Sequence, residues 1–182
     1  MFVTPGPNNA MLTASGMKFG YLKTLPHLIG IPLGHTIQIS LTCLGLGSIF
    51  LKYPQIQFYM KIMCALYMLY LSWKMIGSFS INDKSSGRPL KFYEASLFQF
   101  INPKAWSIAI AVASGFFPTK ENLLTGVIFV SFTAAIICFP TISLWALFGN
   151  SLRKFFTNNK IKKMTEYILS FILILTGIYI LI

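Results

Sequence analysis

The sequence predicts an all-α integral membrane protein of two inverted three-helix repeats, six transmembrane helices in total, the first of them truncated. Three observations lead there. Of 182 residues, 55% are hydrophobic and 10% are charged, where soluble domains carry roughly 25% charge. The apolar residues come in runs close to the ~20 residues a helix needs to cross the ~30 Å hydrocarbon layer. They do not alternate in the ~10-residue segments of a membrane β-barrel. The basic residues sit mainly in the connections between runs.

The elements follow in order. The first segment, Phe2 to Met17, is apolar but short, and Pro5-Gly6-Pro7-Asn8-Asn9 interrupts it. A basic connection, Lys18-Phe19-Gly20-Tyr21-Leu22-Lys23, leads to a second span from about Thr24 to Phe50, which contains Pro26 and Pro32. A turn at Lys52-Tyr53-Pro54 opens a third span, about Gln55 to Ile76. Ser78 to Lys91 is hydrophilic, with Asn82-Asp83-Lys84-Ser85-Ser86-Gly87-Arg88-Pro89, and reads as a solvated loop. The fourth span, about Phe92 to Phe117, is broken at Asn102-Pro103. Pro118-Thr119-Lys120-Glu121-Asn122 turns into a fifth, Leu123 to Phe148, and a basic loop precedes the last, Tyr167 to Ile182. One transmembrane domain therefore covers residues 1–182: repeat one about 1–77, a cytoplasmic linker about 78–91, and repeat two about 92–182.

Charge sets the orientation. The connections after spans one, three and five hold eleven cations: Lys18, Lys23, Lys74, Lys84, Arg88, Lys91, Arg153, Lys154, Lys160, Lys162 and Lys163. Those after spans two and four hold Lys52 and Lys120. Lys and Arg favour the cytoplasmic side, so the odd connections are cytoplasmic and both termini lie outside. The same distribution accounts for the net charge of +11 without a nucleic-acid partner; the partner it implies is the lipid bilayer. Each half opens with a proline-broken helix and continues into a glycine-containing one. Pro7 matches Pro103 and Gly30 matches Gly126, each 96 residues on. Three spans per half make the second half inverted, a recurring plan of secondary transporters with the site where the breaks meet.

The breaks carry the candidate chemistry. Proline lacks the N–H for an i→i−4 bond, so Pro5 and Pro7 around Gly6 leave carbonyls unpaired. In lipid such a break survives only against protein or a water-lined cavity. The helix restarting at Pro7 presents free N–H groups and partial positive charge, a seat for a carboxylate, and Asn8 and Asn9 add donors and acceptors. The alternative is a helix cap at the membrane surface. In the fourth span, Gln99, Asn102 and Trp106 share a face, and Pro103 frees the carbonyl of Gln99. Lys104 falls about ten residues into the span, where an ionisable side chain is a functional hypothesis; snorkelling to the interface is the alternative. In the second span His27, Ile31, Gly34, His35, Gln38 and Thr42 line one face. It reads as a pathway wall with His35 able to exchange protons near neutral pH, or as interhelical packing. The candidate binding set is thus Pro5, Gly6, Pro7, Asn8, Asn9, His35, Gln38, Gln99, Asn102, Pro103 and Lys104.

Asp83, Glu94, Glu121 and Glu166 lie in loops or at span ends. Without a carboxylate at mid-membrane, a neutral zwitterion fits better than a cationic amino acid or a divalent metal. Cys43, Cys64 and Cys138 lie inside apolar runs and form no metal or disulfide motif. Met1-Phe2-Val3-Thr4-Pro5 lacks the positive n-region and cleavage site of a signal peptide and the sequence shows no phosphate-binding loop, so no cleaved leader, cofactor or enzymatic activity is expected.

Thr4-Pro5-Gly6-Pro7-Asn8-Asn9, then Gly16-Met17-Lys18-Phe19-Gly20 and His27-Leu28-Ile29-Gly30-Ile31, resembles the opening of LysE/RhtB-type exporters. Ser96-Leu97-Phe98-Gln99-Phe100-Ile101-Asn102-Pro103-Lys104-Ala105 resembles that family's fourth-span motif. The similarity spans nearly the whole chain and is closest to the branch exporting cysteine and O-acetylserine. The resemblance implies six spans, a multi-pass location in the bacterial inner membrane, and efflux of amino acids or derivatives driven by an ion gradient, a proton being the expected coupling ion. Family members carry about half a helix more before the Pro-Gly-Pro motif, so the chain is expected to start inside its first helix. Its short loops also suggest a homo-oligomer. Two other readings share the architecture. A transmembrane thiol conduit would use Cys43 and Cys138, at nearly matching places in the halves, and a membrane scaffold would transport nothing.

Overall fold

The computed structural model describes residues 2–4, 6–46, 49, 52–76, 88–115, 122–155 and 159–181. Pro5, linker residues 78–87 and the Pro118-Thr119-Lys120-Glu121 turn lie outside the described residues. Every regular element among those described is helical: α1 (Pro7–Phe19), α2 (Tyr21–Leu41) with a π-helical turn (Thr42–Leu46), α3 (Pro54–Met75), α4 (Phe92–Ile101), α5 (Pro103–Gly115), α6 (Leu123–Leu152) and α7 (Asn159–Leu181).

Local sequence explains the ends. Pro7 opens α1 at its first turn, where a missing N–H costs nothing. Gly20, at φ 86°, ends α1 and starts α2 with no further connection, and its N–H donates to the Gly16 carbonyl at 2.9 Å. Only glycine takes that backbone conformation without steric cost. The Ser15 and Thr24 hydroxyls, 2.9 Å apart, pin the resulting hairpin. Pro26 and Pro32 stay inside a continuous α2, as neighbouring helices allow in membrane bundles. The second span is less regular at its far end than the sequence suggested, because Gly45 at φ 107° breaks the helical path there. At α4, Glu94 accepts the Lys91 N–H at 2.8 Å and holds Arg88 through two 2.6 Å contacts, fixing the helix start with a capping box.

The last helix begins at Asn159, eight residues before the expected start at Tyr167. The extension draws Lys160 and Lys163 into helical turns and carries Glu166, expected at a span end, to a position only 3% exposed.

α1 and α2 both pack along α6, α2 also along α4, and α3 along α7. Glycines set the closest approaches. Gly16 faces the Ala146 carbonyl, Gly149 the Thr13 carbonyl, Gly30 the Phe92 carbonyl and Gly34 the Ser96 carbonyl, with no room for a β-carbon. Relative directions follow from the contact order. α1 runs parallel to α6, since Thr13 meets Trp145 and Gly149 lies on Met17. α2 runs parallel to α4, since Ser96 bonds Gly30 and Gln38 bonds Gln99. α2 is antiparallel to α6, through Tyr21–Ser143 and Ser40–Ser131. α3 is antiparallel to α7, through Ser72–Ser170 and Met68–Gly177.

Polarity is distributed inside out. Asn9, Thr24, His27, His35, Gln38, Gln99, Asn102 and Ser131 are buried, while Phe129, Phe132, Ile136 and Tyr179 are more than 60% exposed. A water-soluble monomer rarely shows apolar patches beyond a few hundred Å²; a surface facing lipid requires them. Among the described residues, three helices are long and apolar enough to cross a membrane: Tyr21–Leu46, Leu123–Leu152 and Lys163–Leu181.

Candidate functional site

The breaks at Pro7 and Asn102 come together although 95 residues separate them. The Asn8 and Gln99 side chains form a reciprocal amide pair: Asn8 Nδ2 donates to Gln99 Oε1 at 2.8 Å, and Gln99 Nε2 to Asn8 Oδ1 at 3.2 Å. Gln99 is fully buried, and its Nε2 also donates to the Ala95 carbonyl at 2.8 Å. The main-chain carbonyl that Pro103 frees is taken by Gln38 Nε2 at 2.8 Å, while the Asn102 N–H also donates to it at 3.1 Å. Gln38 and Gln99 therefore brace the break from behind.

Asn102 ends α4 in an extended conformation, φ −86° and ψ 107°, and starts the next helix. Its Oδ1 accepts the Lys104 N–H at 3.1 Å and Pro103 takes the first helical position, the usual order of side-chain cap and proline. The two breaks differ in this respect. α5 is capped by Asn102, whereas α1 starts at Gly6 and no side chain caps it. The positive end of α1 is the one open to an anion.

In front of the breaks lies a pocket of about 20 Å³ lined by Phe2, Gly6, Pro7, Asn8, Asn9, Ile31, His35, Asn102, Lys104, Ala105, Ile108 and Ile142. Asn9 Nδ2 reaches back to the carbonyls of Phe2 and Thr4, each at 2.8 Å. Lys104 Nζ crosses to the same segment, donating to the Thr4 carbonyl at 2.9 Å and the Thr4 hydroxyl at 2.8 Å. His35 is 2% exposed, meets the edge of the Phe2 ring at 5.3 Å, and its Nδ1 has no hydrogen-bond partner. Both ring nitrogens of His27 and Oε1 of Gln38 are likewise buried without partners.

Seven of the residues expected at a site, Gly6, Pro7, Asn8, Asn9, His35, Asn102 and Lys104, line this one pocket. Gln38, Gln99 and Pro103 stand behind it, and Pro5 is outside the described residues. Sequence reasoning missed Phe2, Thr4, Ile108 and Ile142. Thr4 contributes a main-chain carbonyl that any residue type would supply, and the apolar lining has no signature within an apolar span. The three cysteines are free and buried and fall in three separate apolar clusters, Cys138 beside Leu12, Cys64 beside Met68 and Cys43 beside Ile39. Among the described residues no three His, Cys, Asp or Glu side chains stand together as a metal site.

The family model for LysE type translocators matches residues 1–182. The chain is similar to the cysteine/O-acetylserine efflux protein of Salmonella paratyphi A, 30% identical over 155 residues that cover 85% of this chain and 79% of that protein. It is 28% identical to the Escherichia coli K12 protein of the same name, with the same coverage. No solved structure matches it. With an apolar outer surface, helices fit to span a bilayer and a family match over its full length, this bacterial multi-pass membrane protein belongs to the LysE type translocator family.

Proposed function

We propose that this translocator exports neutral amino acids or their derivatives from the cytoplasm across the bacterial inner membrane. One observation carries the reading: two helix breaks, distant in sequence, converge on one pocket that gathers polar side chains inside an apolar bundle. Polar side chains are costly inside a bilayer, yet three amides, an imidazole and an ammonium line the same small space, and the imidazole Nδ1 is left without a partner. In the same reading the chain crosses the membrane six times as two inverted repeats with both termini outside, a recurring plan of secondary transporters. Helices α1, α2 and α3 correspond in this scheme to α4–α5, α6 and α7. Each matched pair is joined by a polar contact: Asn8–Gln99, Ser40–Ser131 at 3.0 Å, and Ser72–Ser170 in both directions at 3.0 Å. The parallel and antiparallel neighbours are those of six alternating crossings.

The substrate carboxylate takes the open N-terminus of α1 and the Asn8 amide, and the amine takes the amide oxygens of Gln99 and Asn102 once the Asn8–Gln99 pair opens. None of the described lining residues is acidic, which disfavours a second positive charge on the substrate. Cysteine and O-acetylserine, which the names of the relatives specify, are zwitterions of the required kind. A pocket of about 20 Å³ holds roughly one water molecule, far below the ~300–1,000 Å³ of a ligand site. The helices must part to admit cargo, and His35 in the pocket wall is placed to take the coupling proton as they do.

The test is release of cysteine and O-acetylserine into the medium, followed by mass spectrometry, from a bacterium lacking its own exporters. The chain should raise release, a protonophore should lower it, and Asn8→Ala or Asn102→Ala should cut it at least tenfold. Variants that insert normally and export at the parent rate would remove the site assignment.

A further inference from the structure

We infer that Lys104 is a latch on the pocket, closed on Thr4 in this structure and released by the carboxylate of the substrate. The inference rests on the exporter reading above and deepens it by assigning the chemistry the cargo must bring. Lys104 lines the pocket and stretches from the first turn of α5 to the segment before α1, where it holds both the carbonyl and the hydroxyl of Thr4. Asn9, also in the lining, holds the carbonyls of Phe2 and Thr4. Two pocket residues thus tie the segment 2–4 across the pocket, and Phe2 closes it against His35.

The acceptors on Thr4 are neutral. The ammonium already assists its bonds to Thr4, but those acceptors offer only dipoles, whereas a carboxylate brings a full opposite charge whose attraction is strong away from bulk water, so a carboxylate entering the pocket outcompetes Thr4 for Nζ. The uncapped end of α1 lies in the same lining and favours the same charge. His35, 98% buried, also lines the pocket with Nδ1 unpartnered, and it donates to the carboxylate in the tautomer that carries its proton there. An amine or an ester offers Lys104 nothing better than Thr4 does and leaves the latch shut. Selection for a free carboxylate and opening of the pocket are then one event.

The experiment uses the full chain with Cys43, Cys64 and Cys138 replaced by serine and Ile142→Cys introduced, a pocket-lining position only 2% exposed while the latch is closed. Labelling by a maleimide is followed in membrane vesicles with O-acetylserine or its methyl ester as the probe. O-acetylserine should speed labelling at least fivefold and the ester should not. Adding Lys104→Gln should give fast labelling with no ligand, and Lys104→Arg should restore ligand dependence. In export assays on the otherwise native chain, Lys104→Gln should raise KM for O-acetylserine about tenfold or more, the scale of one charge-assisted bond. Equal labelling of the Lys104 and Lys104→Gln forms overturns the latch whatever the chain exports. Equal response to acid and ester, with an unchanged KM, overturns the carboxylate role while the exporter reading stands. If no form exports O-acetylserine, yet Lys104→Gln still speeds labelling, the exporter reading falls and the latch survives.

Discussion

Gln38 and Gln99 make a contrast at the scale of single residues. Gln38 donates one hydrogen bond from Nε2 to the Gln99 carbonyl and buries its Oε1 with no partner. Gln38→Leu removes the bond and the orphan together, and the carbonyl keeps the Asn102 N–H. Its effect on stability should stay within about 1 kcal/mol, since the terms oppose. Gln99→Leu instead strips both partners from the Asn8 side chain and should cost about 1–3 kcal/mol. Thermal unfolding in detergent separates the two, and equal losses would count against the bracing role of Gln99. Helical periodicity placed Gln38 on an inward face, and Pro103 identified which carbonyl would need a donor. That the two meet depends on the register of α2 against α4, which the pattern within either helix does not encode. The carbonyls of Phe2 and Thr4 were invisible for a plainer reason: backbone atoms have no residue type.

Among elements, the glycine contacts set the spacing of the helices. Gly149 lies directly on the α1 backbone and admits no methyl group, so Gly149→Ala must push α1 and α6 apart. Overpacking of this kind costs about 1–3 kcal/mol. A β-carbon placed on Gly177 would meet the Met68 side chain at 3.3 Å and the Ala65 carbonyl at 3.4 Å, a crowding that small shifts relieve. There the helix propensity gained by alanine, up to about 1 kcal/mol, offsets the crowding. Gly149→Ala should therefore lower the melting temperature by several degrees while Gly177→Ala stays near the parent; the reverse order would contradict the packing described. Both breaks were legible from proline and its neighbours, as were the apolar cores of the other helices. The Gly45 turn and the early start of α7 were not. A glycine in an apolar run signals close packing and a bend equally well, and a basic stretch reads as loop until a neighbour buries one side of it.

At the scale of the molecule, the orientation argued from charge has a direct check. Lys160 and Asn122 are both exposed, and the basic-loop asymmetry puts them on opposite sides of the membrane. Lys160→Cys should react with an impermeant maleimide only from the cytoplasmic side and Asn122→Cys only from outside, in a chain whose native cysteines are all buried. Labelling of both from one side would refute the six-crossing topology. The helix pairings reach further. α1 and α6 touch backbone to backbone through Gly16 and Gly149, and α2 and α4 through Gly30 and Gly34. Surfaces joined at that distance have no long side chains to slide over one another, so each pair travels as a unit. Yet each pair takes one helix from before residue 77 and one from after residue 91. The two halves of the sequence are thus clasped like folded hands, and neither can swing as a separate lobe. Beyond release of the segment 2–4, any wider opening has to move one mixed pair past the other, along the seam where Ser40 meets Ser131.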